Sequence, residues 1–218
     1  MTNPVLFRWP AAATLGLVVA KSKFYEHGNV HAALREKFIS DVQRVTWAYK
    51  LADATIRLRG TKAVPEIQVF IVETKGGDVS DDVLTAIDKS VHSPIVFEVT
   101  GGDRIRTAAA QKALGGRTPV VGTHYSSGWL SADADRRPLP AALDLPGLHD
   151  AILSAVLPMT PRAGETVSET AGRLNRAQKL QREITALERK LHTEPQLNRK
   201  IELRRTLMSK QTELEEQK

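Results

Sequence analysis

The sequence contains no cysteine, which excludes disulfide bonds and zinc sites with thiolate ligands. Aromatic residues are scarce too, at 5% of the 218 residues. The apolar run at residues 11–20 is about ten residues long, too short to cross a bilayer. A signal peptide is not expected there, since Lys21 and Lys23 follow directly and a helical pattern continues. The composition is typical of a cytoplasmic protein that does not enter the membrane.

Recognisable catalytic motifs are also missing. The chain has no Walker phosphate loop, no G-x-S-x-G sequence and no His-Glu-x-x-His sequence. The pairs Gly101-Gly102 and Gly115-Gly116 are too short and isolated to form nucleotide loops. The sequence therefore favours a function without catalysis, and it leaves enzymatic activity open.

Positive charge is concentrated near the C-terminal end of the sequence. Residues 171–218 hold 12 Lys and Arg against 7 Asp and Glu, which is +5 of the net charge of +6. The other 170 residues are therefore nearly neutral. The basic character belongs to one element of the protein, and that element is where an acidic partner would bind.

The most regular pattern lies between residues 66 and 99. Residues 66–74 are nearly continuous in apolar and β-branched side chains, as in a central strand covered on both faces. A Gly-Gly pair follows, Ser80 is placed to cap a helix, and residues 95–99 form a second apolar strand. A strand, a helix of about a dozen residues and another strand predict a parallel crossover.

Other elements are predicted on both sides of this unit. A helix is expected over residues 29–50, capped by Asn29, because apolar residues recur there at helical spacing. Its apolar stripe consists of Leu34, Phe38, Val42 and Val45. Strands are expected at residues 15–19, 54–58, 104–110 and 119–125, although residues 107–114 fit a helix equally well, and a short helix is expected at residues 148–156. The predicted fold class is α/β, an α+β mixed sheet of about five strands with flanking helices.

The C-terminal quarter has a different pattern. Residues 158–170 have the composition of a linker, and a heptad seam follows. Pro195 ends the first helix, and a second amphipathic helix comes after it. We predict an α/β domain at 1–157, a linker at 158–170, and a helical hairpin or coiled coil at 171–218. The apolar faces need a covering surface, which is the other helix, a second copy in a homodimer, or another protein. The candidate interface residues are Leu180, Ile184, Leu187, Leu191, Ile201 and Met208.

Two segments are candidates for contact with nucleic acid. Residues 21–26, KSKFYE, place two cations beside two aromatic rings, a combination that grips phosphate and stacks a base. An ordinary loop with solvated lysines has the same composition. The C-terminal helices offer many cations, although the interspersed acids also fit a solvated helical face. The candidates are Lys21, Lys23, Tyr25, Arg173, Arg176, Lys179, Arg182, Arg199, Lys200, Arg204 and Arg205.

One stretch suggests catalysis. VFIVETKGG resembles the strand of restriction-type nucleases on which acidic groups hold Mg²⁺ and a lysine assists. Glu73 and Lys75 would share one face of the strand, and Asp53 would supply a further acidic ligand. Against this, a charge pair beside a Gly-Gly turn is commonplace. Glu66, at the start of the same strand, is either a metal ligand or an ion-pair partner of Lys50.

Several strings, in order along the chain, resemble a bacterial family known as domain of unknown function 4391. The resemblance covers nearly the whole chain, and residues 103–145 are the region least similar to the family. The strings are KSKFYEHGNV at 21–30, FISDVQRVTWAYKLADATIRL at 38–58, EIQVFIV at 66–72, VLTAIDKSVHSPIVFEV at 83–99 and ERKLHTEPQLNRKIELRRTL at 188–207.

The resemblance implies a place beside DNA methyltransferases and superfamily-two helicases in restriction-like or phage-defence assemblies. It supplies no catalytic residue. The expected function is therefore a non-catalytic accessory or adaptor subunit without a cofactor, which contacts DNA through its basic C-terminal helices. The alternative is a Mg²⁺-dependent nuclease of the restriction-endonuclease type that uses Glu73 and Lys75.

Overall fold

The computed structural model describes residues 5–26, 30–114 and 119–217, without the side chains of residues 25 and 26. Within these ranges the chain forms two compact units that divide between Pro158 and Met159. The strands are β1 (Leu6–Arg8), β2 (Thr14–Val19), β3 (Val42–Leu51), β4 (Ile67–Thr74), β5 (Ile95–Gly101), β6 (Arg104–Ala113), β7 (Val120–Ser126), β8 (Leu130–Ser131) and β9 (Arg136–Pro138). The helices are α1 (Ser22–Glu26), α2 (Ala32–Asp41), α3 (Asp53–Ile56), α4 (Asp81–Ser90), α5 (Leu145–Val156), α6 (Val167–Thr193) and α7 (Leu197–Gln217), with a 3₁₀ turn at Ala11–Ala13.

A mixed sheet organises the first unit. Among the described residues it has seven strands in the order β2-β3-β4-β5-β6-β7, with β8 paired to the start of β6. The β4–β5 pair is parallel and the other pairs are antiparallel. β1 and β9 form a separate parallel ribbon. The predicted fold class is confirmed, and the sheet has more strands than the five or so expected. Every helix that the structure describes is too short or too polar to cross a membrane.

The β4–α4–β5 crossover lies at the centre, as the sequence predicted. Successive side chains of β4 enter opposite sides of the sheet, because side chains alternate along a strand. Phe70 and Val72 pack into a first core with α2 and α4, whereas Ile67 and Val69 pack into a second core with α5. Apolar layers therefore cover both faces of the central strands.

The predicted helix at residues 29–50 is wrong beyond Asp41, because residues 42–51 form β3. The register against β4 shifts twice within β3, and such irregularities interrupt the alternation of a strand. As a result the buried positions, Val42, Val45, Ala48 and Leu51, fall at every third residue. This spacing imitates the apolar stripe of a helix.

Four local predictions also need correction or concern residues outside the described ranges. Residues 53–56 form the short helix α3 where a strand was expected at 54–58. Ser80 does precede α4, but its side chain makes no capping hydrogen bond and its buried hydroxyl has no partner among the described residues. Asn29 lies outside the described residues, and His31 caps α2 by accepting a hydrogen bond from Leu34 N at 3.2 Å. The helix α6 begins at Val167, inside the stretch assigned to the linker.

Glu98 of β5 is a carboxylate buried on the second face of the sheet. Its oxygen Oε1 accepts a hydrogen bond from Trp9 Nε1 at 2.7 Å and lies 2.6 Å from Arg136 Nη1. Glu98 raises the pKa of Arg136. Because Trp9 follows β1 and Arg136 begins β9, this one carboxylate attaches both ends of the small ribbon to the main sheet.

Lys112 extends from β6 to the C-terminal end of α4, and its side chain is fully buried. Its ammonium group lies 2.8 Å from Asp88 Oδ1, 2.5 Å from Asp88 O and 2.9 Å from Ser93 O, and it also contacts Val91 O. The last carbonyl groups of a helix lack intrahelical partners, and a cation is favoured beside them. Burial lowers the pKa of Lys112, and Asp88 opposes that shift.

Two histidines extend this buried cluster. His124 of β7 lies with Nε2 3.1 Å from Asp88 Oδ2 and with Nδ1 3.4 Å from the hydroxyl of Thr85. His149 of α5 is also buried, and its Nε2 has no hydrogen-bond partner among the described residues. Burial lowers the pKa of His149 to about 4, an effect that Asp88 opposes and Lys112 reinforces. Because Asp88 already balances the charge of Lys112, we assign the cluster a structural role.

Replacing Lys112 by methionine is expected to reduce the free energy of unfolding by about 3–5 kcal/mol, because Asp88 is then left buried without its cation. Lys89 is an exposed lysine of the same helix, and Lys89→Met should change stability by no more than about 0.5 kcal/mol. Urea denaturation of both variants measures the difference. Equal losses in the two variants would contradict the assigned role.

His149 is expected to make the protein less stable in mild acid. The unfolded chain binds a proton at a pKa near 6.5, whereas folded His149 does so only near 4. The unfolded state therefore holds more protons in this window, and the free energy of unfolding falls by about 3 kcal/mol as the pH drops through it. Urea denaturation at several pH values should show that His149→Leu removes this slope. His192→Leu, at an exposed position, should retain it, and a slope that survives in His149→Leu argues against the assignment.

Candidate nucleic-acid interface

The three residues proposed for a nuclease site do not meet. Glu73 of β4 is paired with Arg44 of β3, whose Nη2 lies 2.5 Å from Glu73 Oε1. Asp53 begins α3, just beyond Leu51, and Leu51 lies opposite Ile67 at the other end of β4. Six residues of strand, about 20 Å, separate the two ends. Among the described residues no group of three or more His, Asp or Glu is placed to hold a metal ion.

Lys75 and Lys21 both bind the C-terminal end of α2. Lys75 Nζ donates a hydrogen bond to Ile39 O at 2.7 Å, and Lys21 Nζ donates to Val42 O at 2.8 Å. Lysine side chains near a helix C-terminus commonly bind its last carbonyl groups. Burial, and then the charge of Lys75, lower the pKa of Lys21. Both ammonium groups therefore help to cap the C-terminal end of α2.

Other parts of the predicted basic segment have different surroundings. Lys23 lines the mouth of a pocket on the first face of the sheet, near Phe24. The side chain of Tyr25 lies outside the described residues.

Glu66 forms an ion pair with Lys50, with Oε2 2.6 Å from Lys50 Nζ. The structure thus supports the ion-pair interpretation of Glu66.

The second unit is an antiparallel pair of helices. α6 begins with a capping box, in which Thr166 and Glu169 satisfy each other's backbone N–H groups. Lys210 of α7 lies 2.6 Å from Glu183 of α6, and Arg176 Nε donates to Gln217 Oε1 at 3.3 Å. Residues further along α7 therefore meet residues nearer the start of α6, and the helices pair within one chain.

Arg173 belongs to the interior of this hairpin. Its guanidinium donates two hydrogen bonds of 2.8 Å to Glu165 and one of 2.6 Å to Gln217 O. The Arg173 hydrogen bond holds the pKa of Glu165 at about 2. Arg173 is buried and committed to these partners, so it is a structural residue and not a contact for DNA.

The remaining candidate cations fall into two sets. Arg176 and Lys179 lie beside α7 or beside Glu183, where Lys179 Nζ is 4.0 Å from a carboxylate oxygen. The others have no carboxylate partner within residues 159–217, the part of this unit that the structure describes. These residues, which we call the outward cations because all but the half-buried Lys200 are exposed, are Arg182, Arg199, Lys200, Arg204 and Arg205.

The predicted interface residues also divide between two environments. Ile184 is buried, and Leu180, Leu187 and Leu191 are half-buried. Ile201 and Met208 remain exposed, at 43% and 67%, and Leu197 at 70% extends the same row. Spacings of four and seven residues put all three on one side of α7. We call Leu197, Ile201 and Met208 the outward stripe; its first residue was not among the predicted interface residues.

Comparisons with known proteins return a single finding. A family model described as Domain of unknown function (DUF4391) matches residues 7–214. The matched region includes the sheet, the helices that flank it and both helices of the hairpin. No curated protein and no solved structure matches the chain.

Proposed function

The chain belongs to the family described as Domain of unknown function (DUF4391), and we propose that it is a non-catalytic accessory subunit that contacts DNA through its hairpin. One observation carries the proposal: Arg173 and Lys210 of the hairpin form ion pairs with carboxylates, whereas the outward cations have no carboxylate partner within residues 159–217. The partners that the resemblance implies are helicase and DNA methyltransferase subunits of a restriction-like or phage-defence assembly. The cytoplasm is the compartment where such an assembly meets DNA.

The outward cations are concentrated enough to act together. Four of them lie between Arg199 and Arg205, a length of about 9 Å along α7, and Glu202 is the one acid in that span. Their charge is not cancelled by the ion pairs of the hairpin. Cations that neutralise phosphates release condensed counterions, so such binding weakens steeply with added salt.

The full chain is expected to bind duplex DNA at low salt, with log K falling against log[salt] with a slope of about −4. The triple variant Arg199→Gln/Arg204→Gln/Arg205→Gln should make the slope shallower by about 3 units, since each lost phosphate contact removes roughly 0.9. Fluorescence anisotropy with a labelled duplex across a salt series measures both slopes.

A matched control changes the same charge elsewhere. Lys62→Gln/Lys89→Gln/Arg137→Gln replaces three exposed cations of the first unit and should retain the wild-type slope. If the wild type binds no DNA at low salt, or if both triple variants weaken binding equally, the hairpin is not the DNA contact.

The outward stripe is the second element of the proposal. It is an exposed apolar row on a helix whose other side already packs against α6. Apolar rows of this kind lose water-exposed surface when a partner helix or groove covers them. We propose that the partner subunit of the assembly covers this row, beside the outward cations.

Co-purification tests this docking. The helicase and methyltransferase subunits that the resemblance implies should co-purify with the wild type and be lost with Ile201→Lys/Met208→Lys. The control variant Leu17→Lys/Leu143→Lys alters two exposed apolar residues of the first unit, and the partner subunits should still co-purify with it. Light scattering of the isolated chain supplies the opposing outcome: a dimer that Ile201→Lys/Met208→Lys dissociates would show that a second copy covers the row.

A further inference from the structure

Positive charge is concentrated at one end of the hairpin. Residues 188–206, which contain the turn between α6 and α7 and which we call the tip, hold six Lys and Arg against three Glu. Residues 159–187 and 207–217, the rest of the described hairpin, hold six of each sign. The tip therefore carries a net charge of +3, whereas the other residues are neutral together. An acidic polymer is attracted to the tip more strongly than to the length of the hairpin.

Antiparallel pairing brings cations of both helices together at the tip. In the register that the contacts between α6 and α7 set, Lys190 of α6 lies opposite Leu203 of α7, and both line one groove with Arg199. Lys190 and Arg199 are exposed, and neither has a carboxylate within ion-pair distance among residues 159–217. Glu194 and Glu202 also line the groove, so a phosphate is expected beside it, at the exposed cations, and not inside it.

The cations of the tip lie on both broad sides of the hairpin. Successive residues of a helix are turned by about 100°, so Arg204 is about 140° from Arg199 around the axis of α7. The half-buried Leu203, which shares the groove with α6, lies between these two directions. Arg199 and Lys190 therefore face one side of the plane that contains both helices, and Arg204 faces the other. Ile201 is about 160° from Leu203, so the outward stripe stays on the narrow edge of α7.

This arrangement fits the major groove of duplex DNA. That groove is about 12 Å wide and about 8.5 Å deep, and a helix with its side chains is about 10–12 Å across. A hairpin that enters tip first, with the plane of its helices along the groove, is one helix thick between the two backbones. Arg204 lies seven residues, about 10 Å, from the start of α7, which is the level of the phosphates at the rim of the groove.

We infer that the hairpin inserts its tip into the major groove of duplex DNA, with Lys190 and Arg199 against one phosphate backbone and Arg204 against the other. The inference rests on the proposed function and deepens it, because it names the part of the duplex that the hairpin contacts. It also adds a residue of α6, Lys190, that was not among the candidates drawn from the sequence.

Two lysines of α6 provide a matched test. Lys179 and Lys190 are eleven residues apart, about three turns, so they lie on the same side of the helix with Lys179 about 16 Å farther from the tip. In the salt series with a labelled duplex, Lys190→Gln should make the slope shallower by about 0.9, and Lys179→Gln should leave the slope unchanged. Equal effects of the two changes would overturn the insertion, because a hairpin lying side-on would use both lysines alike.

Competitors that occupy one groove test the location independently. Methyl green, which binds in the major groove, should displace the full chain from a labelled duplex, whereas netropsin in the minor groove should not. Both competitors are cationic, so charge alone does not distinguish them. Displacement by netropsin, or none by methyl green, would contradict the insertion while leaving the DNA contact intact. A wild-type chain that binds no duplex at low salt would instead refute the proposed function, and the insertion with it.

Discussion

The ammonium group of Lys112 is the constraint on which the packing of the first unit depends. It lies without access to water at the point where α4 ends, and it is surrounded by a carboxylate oxygen and three carbonyl oxygens. Its partner Asp88 in turn contacts His124. Strands β6 and β7 are thereby tied to the crossover helix, and each buried charge has a partner only while all three elements are in place.

The same device is used at the end of α2, where Lys21 and Lys75 bind the last carbonyl groups. A short helix of ten residues has weak intrinsic stability, and cations at its negative end offset part of that weakness. Lys75, which the sequence suggested for catalysis, and Lys21, which it suggested for phosphate binding, both cap a helix in the structure. The charged residues at the end of β4 are structural here, because Glu73 is paired with Arg44 of β3 and Lys75 binds the carbonyl of Ile39 in α2.

The hairpin shows the opposite distribution of charge. Its interior ion pairs, such as that between Arg173 and Glu165, are complete within the unit, and they stabilise the antiparallel arrangement. What remains outward is a cluster of cations beside an apolar row. The exposed cations of this set, such as Arg204 and Arg205, and the apolar row can therefore meet a surface that carries phosphate or exposed apolar side chains.

The sequence by itself determined the strand–helix–strand crossover, the mixed sheet and the pair of C-terminal helices, because continuous apolar strands, glycine turns and a heptad seam have few alternatives. Tertiary structure decided the identity of β3, since irregular register against β4 gives its buried residues the spacing of a helix. It also decided which charges are structural. Lys112 and its partner Asp88, for example, are 24 residues apart in the chain. A local sequence pattern cannot predict a pair at that separation. The separation of Asp53 from Glu73 and the pocket beside Gln68 follow in the same way from antiparallel pairing of β3 and β4, which brings together residues that periodicity alone cannot relate.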